Sequence, residues 1–394
     1  MNRIAYLTCE LKSRDLEPRL LIASHLLRAG IPVVVGQVWA LVGNARAHHN
    51  LPGCYLFTTA NTIQANAMKK VYRAGHSVLA SNEETFALAG ERILDSIAPE
   101  AMEFKFLAQT DSQQKVILSK FPGADITVTG SSRAELLLRM PTPQPANPPY
   151  ILFNTSLALI NSVWGSTRKA LEVLGRGMRL TADEAKERIH AQRADAEIIA
   201  DVIRWAVDHY RVVIRPHPAE KADAWRNNFP TAEVIEGSPP LPWIREASVL
   251  VHANSTTGLE AALMGVPAIN INPTEKWGER FVIKDVNLNA TSAAQAIAAI
   301  KNCIHGNMPL PVCDMFPIDG AKNIANAVVD EVRSNQPLTG AFPWAPMQRE
   351  ASQIAKFSAT REDVANSSAL TGASIGAIHE LEDSVFLLVP DSET

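Results

Sequence analysis

Residues 249–271, VLVHANSTTGLEAALMGVPAINI, contain in order the patterns of a strand, a turn, a helix and a second strand. The apolar run that begins at Val249 predicts a buried strand, and the apolar residues from Leu259 onward recur at helical spacing until Gly265 ends the helix. The run VPAINI then predicts the second buried strand. This succession is typical of a parallel sheet covered by helices, so the stretch predicts an α/β, doubly wound domain.

The same pattern continues towards the amino terminus. YILFNTS and YRVVIRPH predict strands of the same domain, and a long helical segment that starts at TADEAKE separates them. Further upstream, IAYLTCE, IPVVVGQ, GCYLFTT and HSVLAS predict strands that alternate with helical segments. Because 394 residues exceed one ordinary core, we expect two α/β domains.

Prolines mark the expected boundary between these domains. The segment RMPTPQPANPPY at residues 139–150 has no periodicity, and its prolines fix φ and remove backbone donors. We therefore expect a first domain at 1–140, a linker at 141–150 and a second domain at 151–335. Within the second domain, an alanine-rich helix is expected from Thr291 to Asn302 with Thr291 or Ser292 as its cap. Residues 336–394 form an extension whose packing is not predicted, although SVFLLVP is strand-like.

The composition excludes several classes of protein. With 46% apolar and 20% charged residues the chain is typical of a globular protein, and it has no apolar run of membrane-spanning length. The amino terminus lacks the pattern of a signal peptide, so we expect a cytoplasmic protein with reduced cysteines. The net charge is −4 and there is no basic stripe, which argues against nucleic acid as a partner.

The hydroxyl-rich turn in the opening stretch is the strongest candidate for a phosphate site. Helix amino termini present unpaired N–H groups and the positive end of a dipole, and hydroxyl side chains add donors there. An acidic residue in the first helical turn could accept ribose hydroxyls. The alternative is that Ser255 or Thr256 only caps the helix. The residues predicted to bind a nucleotide at this turn are Asn254, Ser255, Thr256, Thr257 and Glu260.

A second strand brings cations to the same edge of the sheet. Arg215 and His217 follow the strand VVIR, and ligands of open α/β sheets bind at the carboxyl ends of the strands. Arg215 offers a permanent charge, and His217 offers a donor whose ordinary pKa lies near neutrality. The alternative for His217 is a structural hydrogen bond in a proline-bounded loop. We predict that both residues bind phosphate, whereas His252, inside a strand, is expected to be structural.

The first domain offers carboxylates instead. Glu83 and Glu84 follow the strand HSVLA, and either could deprotonate a hydroxyl or attack an anomeric carbon. The alternative is that they begin a helix, where acids favour the dipole. Further candidates for binding an acceptor or a sugar follow other strands, with surface salt bridges as the alternative for the arginines; they are Glu10, Arg14, Gly130, Arg133 and Asn154. No Asp-x-Asp triplet occurs, so we predict neither a metal site nor a cofactor.

Several of these motifs together resemble a known family. ELKSRDLEPRLLIASHLLRAG, NEET, TGSSRAEL, YILFNTS, RPHPAEKADAW and the opening stretch are similar to segments of bacterial surface-carbohydrate (capsule and O-antigen) biosynthesis proteins, which are related to Kdo transferases. The resemblance covers roughly residues 1–335. The acid pair, His217-Pro218 and the Ser255-Thr256 cluster also resemble the motif trio of bacterial sialyltransferases, although Thr85 stands where that trio has glycine.

The resemblance implies a GT-B-like glycosyltransferase with two Rossmann-like domains that face each other across a cleft. It implies a CMP-linked acidic ulosonic sugar as donor, a phosphate bound by His217 and residues 255–257, and Glu84 as the catalytic carboxylate. It also implies a lipid-linked glycan acceptor, and with it peripheral association with the inner membrane. Glu84 could act as a base or as a nucleophile, and similarity to Kdo transferases favours retention.

Two other functions remain open on the sequence. The same fold could use CDP-glycerol or a UDP-sugar as its donor. Thr85 also keeps open a non-catalytic subunit that binds a sugar nucleotide within a polysaccharide-assembly complex.

Overall fold

The computed structural model describes residues 4–141, 143–178, 181–274, 278–306, 311, 313–332 and 342–390. Their strands are Ala5–Cys9 (β1), Val33–Gln37 (β2), Cys54–Leu56 (β3), Ser77–Ala80 (β4), Lys105–Ala108 (β5), Ile126–Val128 (β6), Tyr150–Asn154 (β7), Arg211–Arg215 (β8), Glu233–Val234 (β9), Val249–His252 (β10), Ala268–Ile271 (β11), Leu288–Ala290 (β12), Ala377–Glu382 (β13) and Val385–Val389 (β14).

The α-helices alternate with these strands over most of the chain. They are Lys12–Arg28 (α1), Val38–Arg46 (α2), Thr62–Arg73 (α3), Asp111–Lys120 (α4), Ser132–Arg139 (α5), Thr167–Met178 (α6), Ala182–Val207 (α7), Ala222–Asn228 (α8), Pro240–Glu246 (α9), Thr256–Met264 (α10), Ile283–Val286 (α11), Ala293–Ile304 (α12), Gly320–Glu331 (α13), Ala351–Lys356 (α14) and Arg361–Thr371 (α15). Within the described ranges, none of these helices is both long enough and apolar enough to cross a membrane.

The chain divides into two compact units. The first comprises Met1–Phe86, Ser96–Arg139 and Met315–Thr394, and the second comprises Ala87–Asp95 and Met140–Asp314. The short segment Ala87–Asp95 joins the second unit through backbone hydrogen bonds, from Ala89 N to Arg280 O at 3.0 Å and from Val282 N to Ala87 O at 3.1 Å. Each unit therefore contains segments that are distant in sequence.

The first unit is built on an eight-stranded sheet in the order β13-β14-β2-β1-β3-β4-β5-β6. The strands from β1 to β6 are all parallel, as the alternation of strands and helices predicts. The hairpin β13-β14 adds two antiparallel strands beside β2, with Phe386 opposite Val35. The strand-like run near the carboxyl terminus is thus the buried strand β14.

Helix α13, which lies within the range 151–335 expected for the second domain, belongs to the first compact unit. Helix α13 packs against α1 and α5 of the first unit, and the Ala321 N–H donates to Glu135 Oε2 at 2.6 Å. The apolar face of α13, which includes Ile324 and Val328, is buried there. Local periodicity predicts such a helix but does not specify which sheet its apolar face covers.

The second unit contains a six-stranded parallel sheet in the order β12-β11-β10-β7-β8-β9. Helices α7 and α12 cover one face of it, where Ile199, Ile203 and Ile300 pack against strand residues such as Ile214 and Val251. Thr181 and Glu184 form a capping box at the start of α7. The Ser292 hydroxyl accepts from Gln295 N, which confirms the predicted cap of α12. Both units are Rossmann-like α/β structures.

Candidate functional site

The carboxyl edge of the second sheet brings the predicted phosphate-binding residues together. The register pairs Asn154 at the end of β7 with Arg215 on one side and with His252 on the other. From β7 the chain runs to β8 and β9 on one side, and then to β10, β11 and β12 on the other. The direction of strand order therefore changes between β7 and β10, and in open α/β sheets ligands bind at such a switch point.

The hydroxyl-rich turn begins α10 as expected. Ser255 is the N-cap residue, and its Oγ accepts a 3.4 Å bond from Thr257 N and a 2.9 Å bond from Thr257 Oγ1. The local capping role is therefore present at Ser255, while Thr256 opens the helix. Asn254 has φ 45°, in the left-handed region, and its N–H donates to Asn270 Oδ1 at 2.8 Å. These bonds fix the direction in which the amino terminus of α10 points.

His252, the last residue of β10, stabilises this turn through hydrogen bonds. Its Nδ1 accepts from Ser255 N at 3.3 Å, and its Nε2 lies 2.8 Å from Asn287 Oδ1. Burial lowers the pKa of His252 to about 4, which Asn287 only partly opposes, so the ring is neutral. A Cβ on Gly258 would lie 2.3 Å from both Asn287 Oδ1 and His252 Nε2, so only glycine fits there. The structural role predicted for His252 is confirmed.

Arg215 and His217 lie beside this turn. Arg215 donates from Nε and Nη2 to Ser238 O, at 3.1 and 2.6 Å, which holds its guanidinium at the end of β8. Desolvation lowers the pKa of Arg215, and the charge of Glu260 opposes that shift. Glu260 is buried and lies beyond the first turn of α10, not within it as the sequence predicted. The His217 ring reaches solvent, and its Nδ1 accepts from Ala219 N at 3.1 Å. The neutral ring therefore carries its proton on Nε2, where it can donate to a ligand.

Arg188 is a further cation that acts on His217, and the sequence analysis did not single it out. Desolvation lowers the pKa of His217, and the positive charges of Arg188 and Arg215 lower it further. Burial and the neighbouring Arg280 lower the pKa of Arg188 itself to about 10. A region that gathers several cations favours an anionic ligand. No local motif distinguishes Arg188, because its place becomes evident only once α7 packs on the sheet.

Glu220 organises the loops beneath His217. This buried carboxylate accepts from His217 N at 3.2 Å, Leu157 N at 2.8 Å and Trp225 Nε1 at 3.1 Å, and from Thr155 Oγ1 at 3.0 and 3.1 Å. Burial raises its pKa, and these donors oppose the rise. Glu220 thus connects the loops that follow β7 and β8. Its position three residues after His217 in RPHPAE was the available sequence signal.

Asn154 has an unusual environment at the centre of this edge. The residue is only 3% exposed, and within the described residues neither Oδ1 nor Nδ2 has a hydrogen-bond partner. An unsatisfied buried amide costs free energy, and such groups concentrate where water or a ligand supplies the missing bonds. The strand register places Asn154 beside Arg215, on the second unit.

The carboxyl edge of the first sheet carries the predicted acids. Arg14 and Asp15 lie in the first turn of α1 and not in a loop. Arg14 Nε donates to Asp15 Oδ1 at 2.6 Å, so this arginine already holds a carboxylate of the protein. Burial opposes ionisation of Asp15, but Arg14 and two backbone N–H donors hold its pKa below the ordinary value. Glu10 accepts from Gln64 Nε2 at 3.1 Å and lies 3.7 Å from Arg14 Nη2.

Glu83 and Glu84 form a 3-10 turn after β4 that Asn82 caps through Glu84 N at 3.2 Å. Glu83 is buried beside Gln109 Nε2 at 3.4 Å, and burial raises its pKa despite the opposing charge of Arg19. The Glu84 side chain is exposed. Even so, desolvation is the largest influence on its pKa, which is raised; Arg14 opposes the rise, and Glu10 and Asp15 add to it.

Thr85 explains how the turn tolerates a residue other than glycine. Its hydroxyl donates to Asn82 O at 2.7 Å and accepts from Gln113 Nε2, so the side chain closes the turn. These bonds fix the backbone of the turn that carries Glu83 and Glu84.

Gly130 and Arg133 have structural partners. Gly130 has φ +90°, and a Cβ there would lie 3.0 Å from Pro317 O and 3.1 Å from Gly320 Cα. Arg133 lies in the first turn of α5 with its guanidinium 4.7 Å from the centre of the Phe86 ring. Both residues pack against the first unit's own segments. Within the described part of the chain, no group of three or more His, Cys, Asp or Glu side chains is arranged for a metal ion.

Comparison with known proteins establishes the fold. No protein-family profile matches the chain, and no curated protein matches it. Among solved structures, UDP-GlcNAc 2-epimerase from Methanocaldococcus jannaschii, in complex with UDP-GlcNAc and UDP, is 12% identical with a TM-score of 0.51, over 84% of this chain and 100% of that one. A Listeria monocytogenes protein, provisionally assigned as a UDP-N-acetylglucosamine 2-epimerase, is 13% identical with a TM-score of 0.52, over 84% and 96%. The chain has an α/β fold of the GT-B type with two Rossmann-like domains.

Proposed function

We propose that the chain is a glycosyltransferase of bacterial surface-polysaccharide synthesis that uses a CMP-linked acidic ulosonic sugar as its donor. The observation that carries the proposal is the convergence of Arg215, His217 and the amino terminus of α10 at one edge of the second sheet. These groups suit the phosphate of a nucleotide. The choice of an ulosonic sugar and of cytosine as the base rests on the sequence resemblance.

Bond cleavage at the anomeric carbon leaves negative charge on the departing phosphate. Arg215 is held by Ser238 O, and His217 donates from Nε2, so both would meet that charge without reorganising. The helix dipole of α10 adds to the same effect. Glu260 would accept hydroxyls of the ribose. In this proposal, the charge of Arg215, the Nε2–H donor of His217 and the amino terminus of α10 provide the stabilisation for which other transferases use a metal.

The acceptor side of the proposal rests on the first unit. Glu84 would be the catalytic carboxylate, as base with inversion or as nucleophile with retention, and the resemblance favours retention. Glu10 would bind sugar hydroxyls of the acceptor, and Glu83 would support Glu84. Asn154, on the second unit, would bind a hydroxyl of the donor sugar. The acceptor would be a lipid-linked glycan reached by peripheral association with the inner membrane.

The second candidate is an enzyme of the same fold that uses a UDP-sugar. The proximity of Arg188 to His217 favours it, because two arginines match a diphosphate better than a single phosphodiester. The Methanocaldococcus structure of similar fold, which contains UDP, adds support. Both candidates place the nucleotide at the same edge of the second sheet.

A donor assay separates these functions. The protein is incubated with CMP-Kdo, UDP-GlcNAc or CDP-glycerol together with membrane glycolipid, and released nucleotide and modified lipid are measured by chromatography. We expect CMP release that depends on the glycolipid. Release or epimerisation from UDP-GlcNAc alone would replace the proposal with the second candidate. Nucleotide binding without conversion of any donor would contradict both and favour the non-catalytic subunit.

A further inference from the structure

The extension at residues 342–390 is an integral part of the first unit. Strand β14 pairs with β2, and helix α15 packs against α1. Lys12 at the start of α1 forms a 2.7 Å ion pair with Asp363, the N3 residue of α15. The extension is therefore fixed to the amino-terminal turn of α1, which lies next to Glu10.

A short segment between α14 and α15 is held especially firmly. Phe357 is fully buried, and Ala359 is 5% exposed. Ala359 N donates to Ser384 Oγ at 3.0 Å, and Ser384 Oγ donates back to Ala359 O at 3.3 Å. Because Phe357 follows Lys356 directly, this anchoring fixes the backbone from which the Lys356 side chain extends.

Lys356 thereby reaches the carboxylate that follows β1. Its Nζ lies 3.7 Å from Glu10 Oε1, and its side chain remains 59% exposed. Desolvation raises the pKa of Glu84, and the positive charge of Lys356 lowers it. The contact with Glu10 is long for a charge-assisted hydrogen bond, so the ammonium has donors available for a ligand.

The other cations of this edge already have partners within the protein. Arg14 holds Asp15, and Arg19 donates to two backbone carbonyls at 3.2 Å each. Arg133 lies over an aromatic ring. A negatively charged sugar bound beside Glu10 and Glu84 would need a counter-charge, since two carboxylates alone would repel it. Of the cations at this edge in the described part of the chain, Lys356 has the position and exposure that fit that need.

We propose that Lys356 determines specificity by binding the carboxylate of an acidic sugar held at the edge formed by Glu10 and Glu84. The inference rests on the proposed function and deepens it, because it names a residue outside the recognised motifs that selects an acidic over a neutral substrate. No bond is made or broken by Lys356. Its contribution is to binding, and arginine in its place should preserve much of it.

The test compares Kdo with its methyl ester, which differ in the charge of one carboxylate. Calorimetry with the whole protein should show that Kdo binds about three- to tenfold more tightly than the ester. Lys356→Met should abolish that preference and Lys356→Arg should retain most of it. Lys115→Met, which removes an exposed lysine of α4, should change nothing.

Equal binding of Kdo and its ester by the unaltered protein, or binding of neither, would overturn the assignment, and so would an unchanged preference in Lys356→Met. The outcome is independent of the donor assay. Transfer from CMP-Kdo that Lys356→Met leaves unaltered would sustain the proposed function and refute the inference. If the preference for Kdo depends on Lys356 but no sugar is transferred, the inference would be sustained and the proposed function refuted.

Discussion

Glu84→Gln should reduce turnover of the sugar-nucleotide donor by about 10²–10⁴-fold, the loss typical when a positioned acid or base is removed. Glutamine keeps the shape of the side chain but can neither accept a proton nor attack the anomeric carbon. Because Glu84 is exposed at the 3-10 turn, the unfolding midpoint should not change. Initial rates at saturating donor, together with thermal unfolding of both proteins, provide the measurement.

The pH dependence of the unaltered enzyme gives an independent check on Glu84. The carboxylate must be ionised to act, so the rate should rise with pH through the pKa of this group. Since that pKa is raised, the acid limb should lie above the range of an ordinary glutamate. For the Glu84→Gln experiment the matched control is Glu91→Gln, which removes another exposed glutamate nearby in sequence and should keep full turnover. Undiminished turnover in Glu84→Gln would exclude the assignment in either mechanistic form.

Glu220→Ala should lower the free energy of unfolding by about 3 kcal/mol, because it leaves several buried donors without their acceptor. The donors that lose their partner include Leu157 N, Trp225 Nε1 and His217 N. The loop that carries His217 should loosen as well, so nucleotide affinity should fall together with stability. Urea unfolding followed by fluorescence measures the first effect directly.

Glu236→Ala is the control for this substitution. Glu236 forms a 2.7 Å ion pair with Arg226 in which both side chains are largely exposed, so its removal should cost less than about 0.5 kcal/mol. If Glu220→Ala were no more destabilising than Glu236→Ala, the carboxylate would not organise these loops.

The sequence predicted the second sheet and the turn that begins α10 because the necessary signals are local. Parallel strands buried on both faces are continuous apolar runs, and the cap at Ser292 is specified by its immediate neighbours. The turn from Asn254 to Thr257 was likewise visible, since the residues that shape it follow one another in the chain. Because the carboxyl ends of parallel strands meet at one edge, Arg215 and His217 could be grouped with the turn at Ser255 before the strand register was known.

Features that depend on long-range packing were not predictable in the same way. The run VFLLV indicates a strand, but nothing in it specifies β2 as an antiparallel partner. The return of α13 to the first unit, and the approach of Lys356 to Glu10, follow from contacts across hundreds of residues. Arg14 shows that residue type alone can mislead. An arginine after a strand suggested that it binds a ligand, but its guanidinium is paired with the neighbouring Asp15.

The most direct test of the central claim compares nucleotides with nucleosides at the edge formed by Arg215, His217 and α10. Calorimetric titration of the whole protein with CMP, cytidine, UDP and uridine isolates the contribution of the phosphate. We predict that at least one nucleotide binds about tenfold or more tightly than its nucleoside, roughly 1.4 kcal/mol, and that His217→Ala removes most of this increment. Nucleotides that bind no better than nucleosides, or an increment that His217→Ala leaves intact, would contradict the account.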